Sequence, residues 1–335
     1  MNVLWVGGEG GMEARLVERA KLPFKSIPAA GVHGVGLRQL PGNLARLGRG
    51  VSHARRILHA FQPDVLFFTG GYVAVPMALA GMRIPSLLYV PDIEPGLALR
   101  TLSRFADRIA VTAEDSLHYF RCRARLVLTG YPVRPELSAW PRPKARAALG
   151  LASTNPVLLI FGGSKGARSL NNAVLANLPA LLEMAEVVHI TGELDWPDVE
   201  ARKKELPPVQ SVRWHTYPYL HEQMGAALSA ADLVVSRAGA ASLGEYPLFG
   251  LPAILVPYPH AWRYQKVNAD FLVRRGAAMQ LEDAQLQEKL LPAVKSLLAD
   301  PTRLEAMQHA MRNLARPHAA SEIGHLLMEL ANERR

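Results

Sequence analysis

The chain has a single cysteine, Cys122, set between Arg121 and Arg123. One thiol makes no disulfide framework and no cysteine-built metal cluster. No run of roughly 18 consecutive apolar residues occurs, so no segment reads as a membrane-spanning helix. A secretory pattern is missing too, because Met1–Val6 runs straight into Gly7 and Gly8. A cytoplasmic protein is the expectation. With 49% hydrophobic and 20% charged residues the composition is that of a globular protein. At 335 residues the chain is long for one core and suits two domains.

Acidic residues are in short supply. There are 29 Asp and Glu against 38 Lys and Arg, a net charge of +9. The shortfall is uneven: residues 1–140 hold 17 basic and 10 acidic side chains, residues 141–335 hold 21 and 19. A basic first half suggests a polyanionic partner, with an anionic membrane surface ahead of nucleic acid. No basic motif interleaved with aromatics is present, which argues against a nucleic-acid binder.

What the chain does contain is organised around Pro156–Asn172. Val157–Phe161 is almost wholly apolar, as expected of a strand buried on both faces. Gly162, Gly163 and Gly166 follow, and a helix is expected from about Ala167. A strand, a glycine turn and a helix N-terminus together suit a phosphate, since free N–H groups and the helix dipole favour negative charge. The spacing is neither G-x-G-x-x-G nor the Walker pattern, so a plain tight turn remains open.

The rest alternates strand and helix. In the first half, strands are expected at 2–6, 65–68, 86–90, 108–112 and 125–129, with helices at 12–21 and 43–61. The second of these carries Leu44, Leu47, Val51, Ala54, Ile57, Leu58 and Phe61 at helical spacing, with Arg46, Arg49, Arg55 and Arg56 on other faces. The stretch 31–50, glycine-spaced and basic, reads as loop running into that helix. Prolines at 132, 135, 141 and 143 mark a boundary. Alternation then restarts with strands at 157–161, 186–191, 212–217, 232–236, 253–257 and 279–281, and closing helices at 286–299, 301–314 and 321–333. The expected division is 1–138, 139–318 and a terminal helix, 319–335, packing back toward the first domain. This is an α/β chain of two doubly wound, Rossmann-like domains facing a cleft.

Small residues follow strands where ligands of such sheets bind: Gly70-Gly71, Gly162-Gly163, and Ser236-Arg237-Ala238-Gly239-Ala240, which leads to Glu245. A carboxylate one turn into that helix suits a ribose diol; a solvated helix charge is the plainer alternative. His215, His221 and His260 are expected to be structural or peripheral.

With these residues in place, the sequence resembles the MurG family, inverting transferases that move N-acetylglucosamine from its UDP donor to an undecaprenyl-pyrophosphate-linked muramyl peptide. The resemblance rests on Gly11-Met-Glu-Ala14, Pro63-Asp64-Val65 with Gly70-Gly-Tyr-Val73, Gly130-Tyr-Pro-Val-Arg134, Gly162-Gly-Ser-Lys-Gly-Ala-Arg168, Ser236-Arg-Ala-Gly-Ala240, Glu245, Gly250-Leu-Pro252 and Gln265-Lys-Val-Asn-Ala269. It implies the GT-B fold. It also implies a donor site: Gly163, Ser164 and Arg134 at the diphosphate, and Leu220 or Tyr219 at the uracil. Ala240, Ala241, Ser242, Leu243 and Gly244 would wrap the phosphates at a helix start. Glu245 would hold the ribose, with Gln265 and Asn268 toward the sugar. Gly70, Gly71 and Tyr72, with Arg38, Arg46 and Arg49, would face the acceptor and an anionic inner membrane surface, placing the enzyme peripherally on the cytoplasmic side.

Two departures stand out. Met1 aligns where the family's second strand begins, so the opening strand and its histidine-bearing glycine loop have no counterpart; a start further upstream is the expectation. Where the family has His-Glu-Gln-Asn, this chain has Tyr89-Val-Pro-Asp92, continuing to Glu94. An inverting transfer needs a base for the acceptor hydroxyl. Asp92 is the first candidate and Glu94 the second, with helix capping near Gly96 as the alternative. No cofactor is implied, since UDP-N-acetylglucosamine is a substrate, and no paired aspartates suggest a metal. Other UDP-sugar enzymes of this fold, such as a glycolipid synthase or a hexosamine 2-epimerase, or a chain that only binds donor, are the competing readings.

Overall fold

A computed structural model describes residues 2–11, 13–29, 40–151, 155–163, 166–260 and 263–333. Arg38, Ser164 and Lys165 lie outside the described residues, as does the 31–39 part of the 31–50 stretch. The chain divides into two compact units: Met1–Pro91 with Pro95–Thr129 and Ser321–Arg335, and Asp92–Glu94 with Gly130–Ala320. The division falls at Gly130, ahead of the expected 138/139, because the proline-rich segment packs within the second unit. Leu137 is buried there, the backbone of Gly225 lies directly against it, and Ser229 Oγ donates to the Trp140 carbonyl at 2.7 Å. The terminal helix, Ala319–Glu333, joins the first unit from Ser321, and Glu333 pairs with Arg108 at 3.5 Å.

The first unit contains β1 (Trp5–Gly8), β2 (Phe24–Ile27), β3 (Leu66–Phe68), β4 (Ser86–Val90), β5 (Arg108–Val111) and β6 (Leu126–Leu128). All pairings are parallel. They form two ladders, β1-β2 and β3-β4-β5-β6, where one sheet was expected. Strand β2 was not anticipated: Phe-Lys-Ser-Ile is four residues long, and only Ile27 is buried, too short a signal for period-two reading. Strand β4 is buried throughout, as a central parallel strand should be. The helix Leu40–Phe61 turns Ala54 and Leu58 inward and leaves Arg46, Arg49, His53, Arg55 and Arg56 exposed.

The second unit is one six-stranded parallel sheet: β7 (Val157–Phe161), β8 (Glu186–Ile190), β9 (Trp214–Tyr217), β10 (Leu233–Ser236), β11 (Ala253–Leu255) and β12 (Ala278–Gln280). Its order is β12-β11-β10-β7-β8-β9. The chain starts mid-sheet, winds outward through β8 and β9, then crosses back to β10 and winds the other way. The strand order therefore reverses between β7 and β10, and the crevice beyond their C-terminal ends is where such sheets bind ligands. Helix Arg168–Met184 lays Leu170, Val174, Leu178 and Leu181 on the sheet at intervals of three and four.

One buried histidine shows how this core treats polar groups. His189 of β8 is wholly buried, and its Nε2 meets Asn171 Oδ1 at 3.0 Å. The Asn171 amide nitrogen donates to the Thr191 carbonyl and to Asp195 Oδ2, both at 2.8 Å, so its oxygen must accept and Nε2 must carry the proton. Burial pushes His189 down to about 3. It is a neutral core residue.

Candidate functional site

Strands β7 and β10 end together, with Phe161 and Ser236 paired in the last rung of their ladder. The loops that follow leave the sheet side by side. In the first, the three glycines do different work. A side chain on Gly162 would strike Ala167, and one on Gly166 would strike the Thr191 carbonyl, so both serve close strand–helix packing. Gly163 has φ +93°, a left-handed conformation that favours glycine, and open space where a Cβ would stand. It is the position with room for a ligand.

The second loop is stapled by Arg237. Its guanidinium donates to Asp283 Oδ1 at 2.6 Å, to Ser169 Oγ at 2.8 Å and to the Val256 carbonyl at 3.2 Å, and lies over the Tyr258 ring. Ser169 stands in the first turn of the helix after the glycine loop, so one side chain ties both loops together. Ala240–Leu243 then forms a helical turn. Ser242 is buried and donates its hydroxyl to the Gly239 carbonyl at 2.7 Å; the Ser242 and Gly244 amides also bond inside the turn. The first N–H groups of such a turn have no partner within it. Those of Ala240 and Ala241 are the ones available to an anion. Ser242 and Leu243, both buried, shape the turn and offer no side chain to a ligand.

Glu245 opens the helix Glu245–Phe249 and is half-buried. Its neighbour fixes it: Tyr246 is buried, its hydroxyl 2.6 Å from Ser236 Oγ and its ring edge-on to Phe161. Burial raises the Glu245 carboxyl, and the Arg134 charge partly offsets this. Tyr131 packs its ring on Gly244, where an added Cβ would come within 2.8 Å of it. Its phenol is raised, first by burial and then by the carboxylates of Glu245 and Asp92, against Arg134. Tyr131, Arg134, Glu245 and Asp92 thus share one electrostatic neighbourhood. Tyr131 carried no expected role. The signal that pointed to it was its place two residues after Thr129, in the Gly130–Arg134 motif.

Asp92, Ile93 and Glu94 belong to this unit through two residues near the start of the helix Tyr264–Arg274. Asn268 is fully buried. Its amide nitrogen donates to Asp92 Oδ1 at 2.8 Å and to the Ala238 carbonyl at 3.1 Å, and its oxygen accepts from the Ile93 N–H at 3.1 Å. Arg263 grips Glu94 with two bonds, Nε to Oε2 at 2.6 Å and Nη2 to Oε1 at 2.5 Å. Asp92 is raised by burial, and the Asn268 bond works in the opposite direction.

Two expectations change here. Glu94 was the second candidate base, but it is 3% exposed and both its oxygens are held by Arg263. A bidentate pair engages one lone pair of each oxygen and fixes the carboxylate on Arg263, which leaves Glu94 less open to a substrate proton than Asp92. Asn268 was expected on the donor, yet its amide is spent on protein groups. Gln265 is placed differently. Its Oε1 accepts from Tyr258 N–H at 2.8 Å, which aims a half-buried amide from the first turn of the helix. Leu220 is buried after β9, while Tyr219 is exposed, its ring tilted against that of His221 with centroids 4.4 Å apart. His215 meets Glu186 at 3.1 Å, and His260 packs edge-on against Tyr258.

The chain matches two family models, the glycosyltransferase family 28 N-terminal domain over residues 1–111 and its C-terminal domain over residues 157–323. It is 40% identical over 373 residues to the UDP-N-acetylglucosamine–N-acetylmuramyl-(pentapeptide) pyrophosphoryl-undecaprenol N-acetylglucosamine transferase of Roseiflexus sp. (strain RS-1), covering 99% of this chain and 84% of that protein. The same transferase of Desulforudis audaxviator (strain MP104C) is 41% identical over 343 residues, 99% of this chain and 91% of that one. The chain belongs to the MurG family of glycosyltransferases. Among solved structures, Acinetobacter baumannii MurG superposes with a TM-score of 0.75 at 25% identity, over 98% of this chain and 91% of that one. The UDP-GlcNAc 2-epimerase of Neisseria meningitidis, solved with UDP-GlcNAc bound, reaches 0.66 at 14% identity over 98% and 91%, a likeness of fold alone. MurG membership therefore sets aside the epimerase reading, which rests only on shared architecture.

Proposed function

We infer that the chain transfers N-acetylglucosamine from UDP-N-acetylglucosamine to the undecaprenyl-pyrophosphate-linked muramyl pentapeptide, inverting the anomeric centre. This is a step of peptidoglycan synthesis, on which cell shape and division depend. One observation carries the reading at the level of chemistry: Glu245 opens the helix after the β10 loop, where the sheet order reverses, with Tyr131 packed on the adjoining Gly244 and the charges of Arg134 and Asp92 felt there.

Each group has a task. Glu245 accepts from the two ribose hydroxyls, an arrangement a diol satisfies and a lone hydroxyl does not. The Ala240 and Ala241 N–H groups, the open backbone at Gly163, and Arg134 meet the diphosphate. Gln265 addresses the sugar hydroxyls with the amide that Tyr258 orients. The acceptor hydroxyl attacks the anomeric carbon in line. The new C–O bond forms as the bond to UDP breaks, and Asp92 takes the hydroxyl proton on Oδ2, the oxygen with no protein partner among the described residues. Negative charge that grows on the departing β-phosphate falls to Arg134 and the turn N–H groups, which are in place before reaction. A single in-line displacement inverts configuration.

The test is turnover with both substrates. UDP release is expected with the lipid-linked muramyl peptide and not with diacylglycerol or with donor alone. Tight donor binding without transfer, or epimerisation of the donor, would overturn the reading.

The acceptor is anchored in lipid, so the enzyme works at an anionic surface. In the first unit Leu79, Met82 and Phe105 are exposed, with Met82 and Phe105 lining one shallow hollow, and Arg83 and Arg104 are exposed beside them. Apolar tips with arginines next to them in the chain suit a headgroup layer better than bulk water. Arg46 and Arg49 are exposed on their own helix, and Tyr72 follows the paired left-handed glycines Gly70 and Gly71. The protein is expected to sediment with phosphatidylglycerol vesicles and not with phosphatidylcholine vesicles. Equal behaviour with the two would remove the electrostatic part of this assignment.

A further inference from the structure

The geometry points to Asn268 as the positioning residue of Asp92: it holds the carboxylate of the candidate base in one orientation by its Oδ1, while Oδ2 has no protein partner among the described residues. The inference rests on Asp92 acting as base, as set out above.

Three partners determine how the Asn268 amide faces. The Ile93 N–H must meet its oxygen, and the Ala238 carbonyl and the Asp92 carboxylate must meet its nitrogen. No flipped amide satisfies all three, so the assignment follows from the bonding and not from a choice of atoms. Asn268 is 0% exposed, which removes water as a competitor for these bonds. Its backbone sits one turn inside the helix Tyr264–Arg274, a rigid element. The Ala238 contact also joins Asp92 to the loop after β10, the loop that runs on to the phosphate-facing turn. One buried amide thereby sets the base against the donor-binding loop.

The neighbouring groups do not duplicate this role. Glu94 and Arg263 neutralise each other two residues along, and hold the backbone rather than the Asp92 side chain. Among the described residues the Tyr131 phenol also feels Asp92, and its raised phenol stays protonated at neutral pH. Glu245 and Arg134 act on Tyr131. The Asn268 N–H is thus the group that favours the ionised form of a carboxylate which burial otherwise opposes.

The experiment is the pH profile of kcat, at saturating donor and acceptor, for Asn268→Ala and Asn268→Asp, alongside Asp92→Asn, with donor affinity measured separately. Asn268→Ala is expected to lower kcat about 30- to 100-fold through loss of alignment. It should leave donor affinity within about threefold and move the acidic limb up by about one pH unit, since a bond to the ionised form is gone. Asn268→Asp keeps the volume and the Ile93 contact, so it holds the fold if the alanine variant does not. It sets a second carboxylate against Asp92 and is expected to move the limb further up. A role in packing alone lowers activity evenly across pH. An unmoved limb in both variants, or donor affinity falling in step with kcat, overturns the assignment. If Asp92→Asn itself keeps full turnover, it is the base reading that fails.

Discussion

Glu245→Ala is expected to weaken binding of UDP-N-acetylglucosamine about 30- to 150-fold while leaving the fold intact. The first half of that expectation comes from bonding. Two hydroxyl donors on an ionised acceptor contribute together about 2 to 3 kcal/mol, and the factor follows from that energy. The second half comes from what Glu245 does in the free protein. It is half-buried at the first position of a short helix, and burial raises its carboxyl, so it is held at some cost in the absence of ligand. The helix is anchored by its neighbour, Tyr246, through Ser236 and Phe161, and not by Glu245. Arg134, the cation left behind, is exposed and remains hydrated. Melting temperature should therefore hold or rise slightly as donor affinity falls. Glu245→Gln keeps an acceptor and should lose less than alanine does. Donor affinity unchanged in the alanine variant, measured by calorimetry, would remove the ribose from this side chain.

The sequence showed the strand ends of this site more clearly than the contacts between them. Val157–Phe161 is legible because a strand buried on both faces needs five apolar residues in a row and a glycine turn at its end. Phe24–Ile27 is not, because Lys25 and Ser26 are exposed and give no period. The place of Glu245 at a helix start was legible from small residues after a strand, followed by an acid. The distinction between Asp92 and Glu94 was not. Both carboxylates lie in one short stretch, and what separates them is Arg263 and Asn268, brought to them from 169 and 176 residues away along the chain. Local pattern holds no record of which distant cation will neutralise which acid. Tyr131 was hidden in another way. Its ring fits only because position 244 has no side chain, a pairing that exists in three dimensions between two residues unremarkable alone.

Asp92→Asn carries the other large effect: a fall in kcat of about 100- to 10,000-fold, the range for losing a positioned general base. The substitution is nearly isosteric, and one amide orientation leaves a carbonyl oxygen for the Asn268 N–H, so the loop should hold its place. Donor affinity should change little, because the ribose and diphosphate are bound by Glu245, Arg134 and the turn. The pH dependence of the unsubstituted enzyme sharpens the test. A base works only when deprotonated, and burial raises Asp92 above the ordinary carboxylate value of 3.8 with Asn268 only partly countering it. Activity should therefore decline as pH falls, through a midpoint above that value, and recover as pH rises past it. Two carboxylates in this site are raised, and they report on different constants. Loss of Asp92 charge lowers kcat, whereas protonation of Glu245 weakens donor binding and appears in KM. An acidic limb in kcat that survives Asp92→Asn unchanged would assign the proton to another group. A limb that vanishes with the substitution, at preserved donor affinity, places the transferred proton on Asp92.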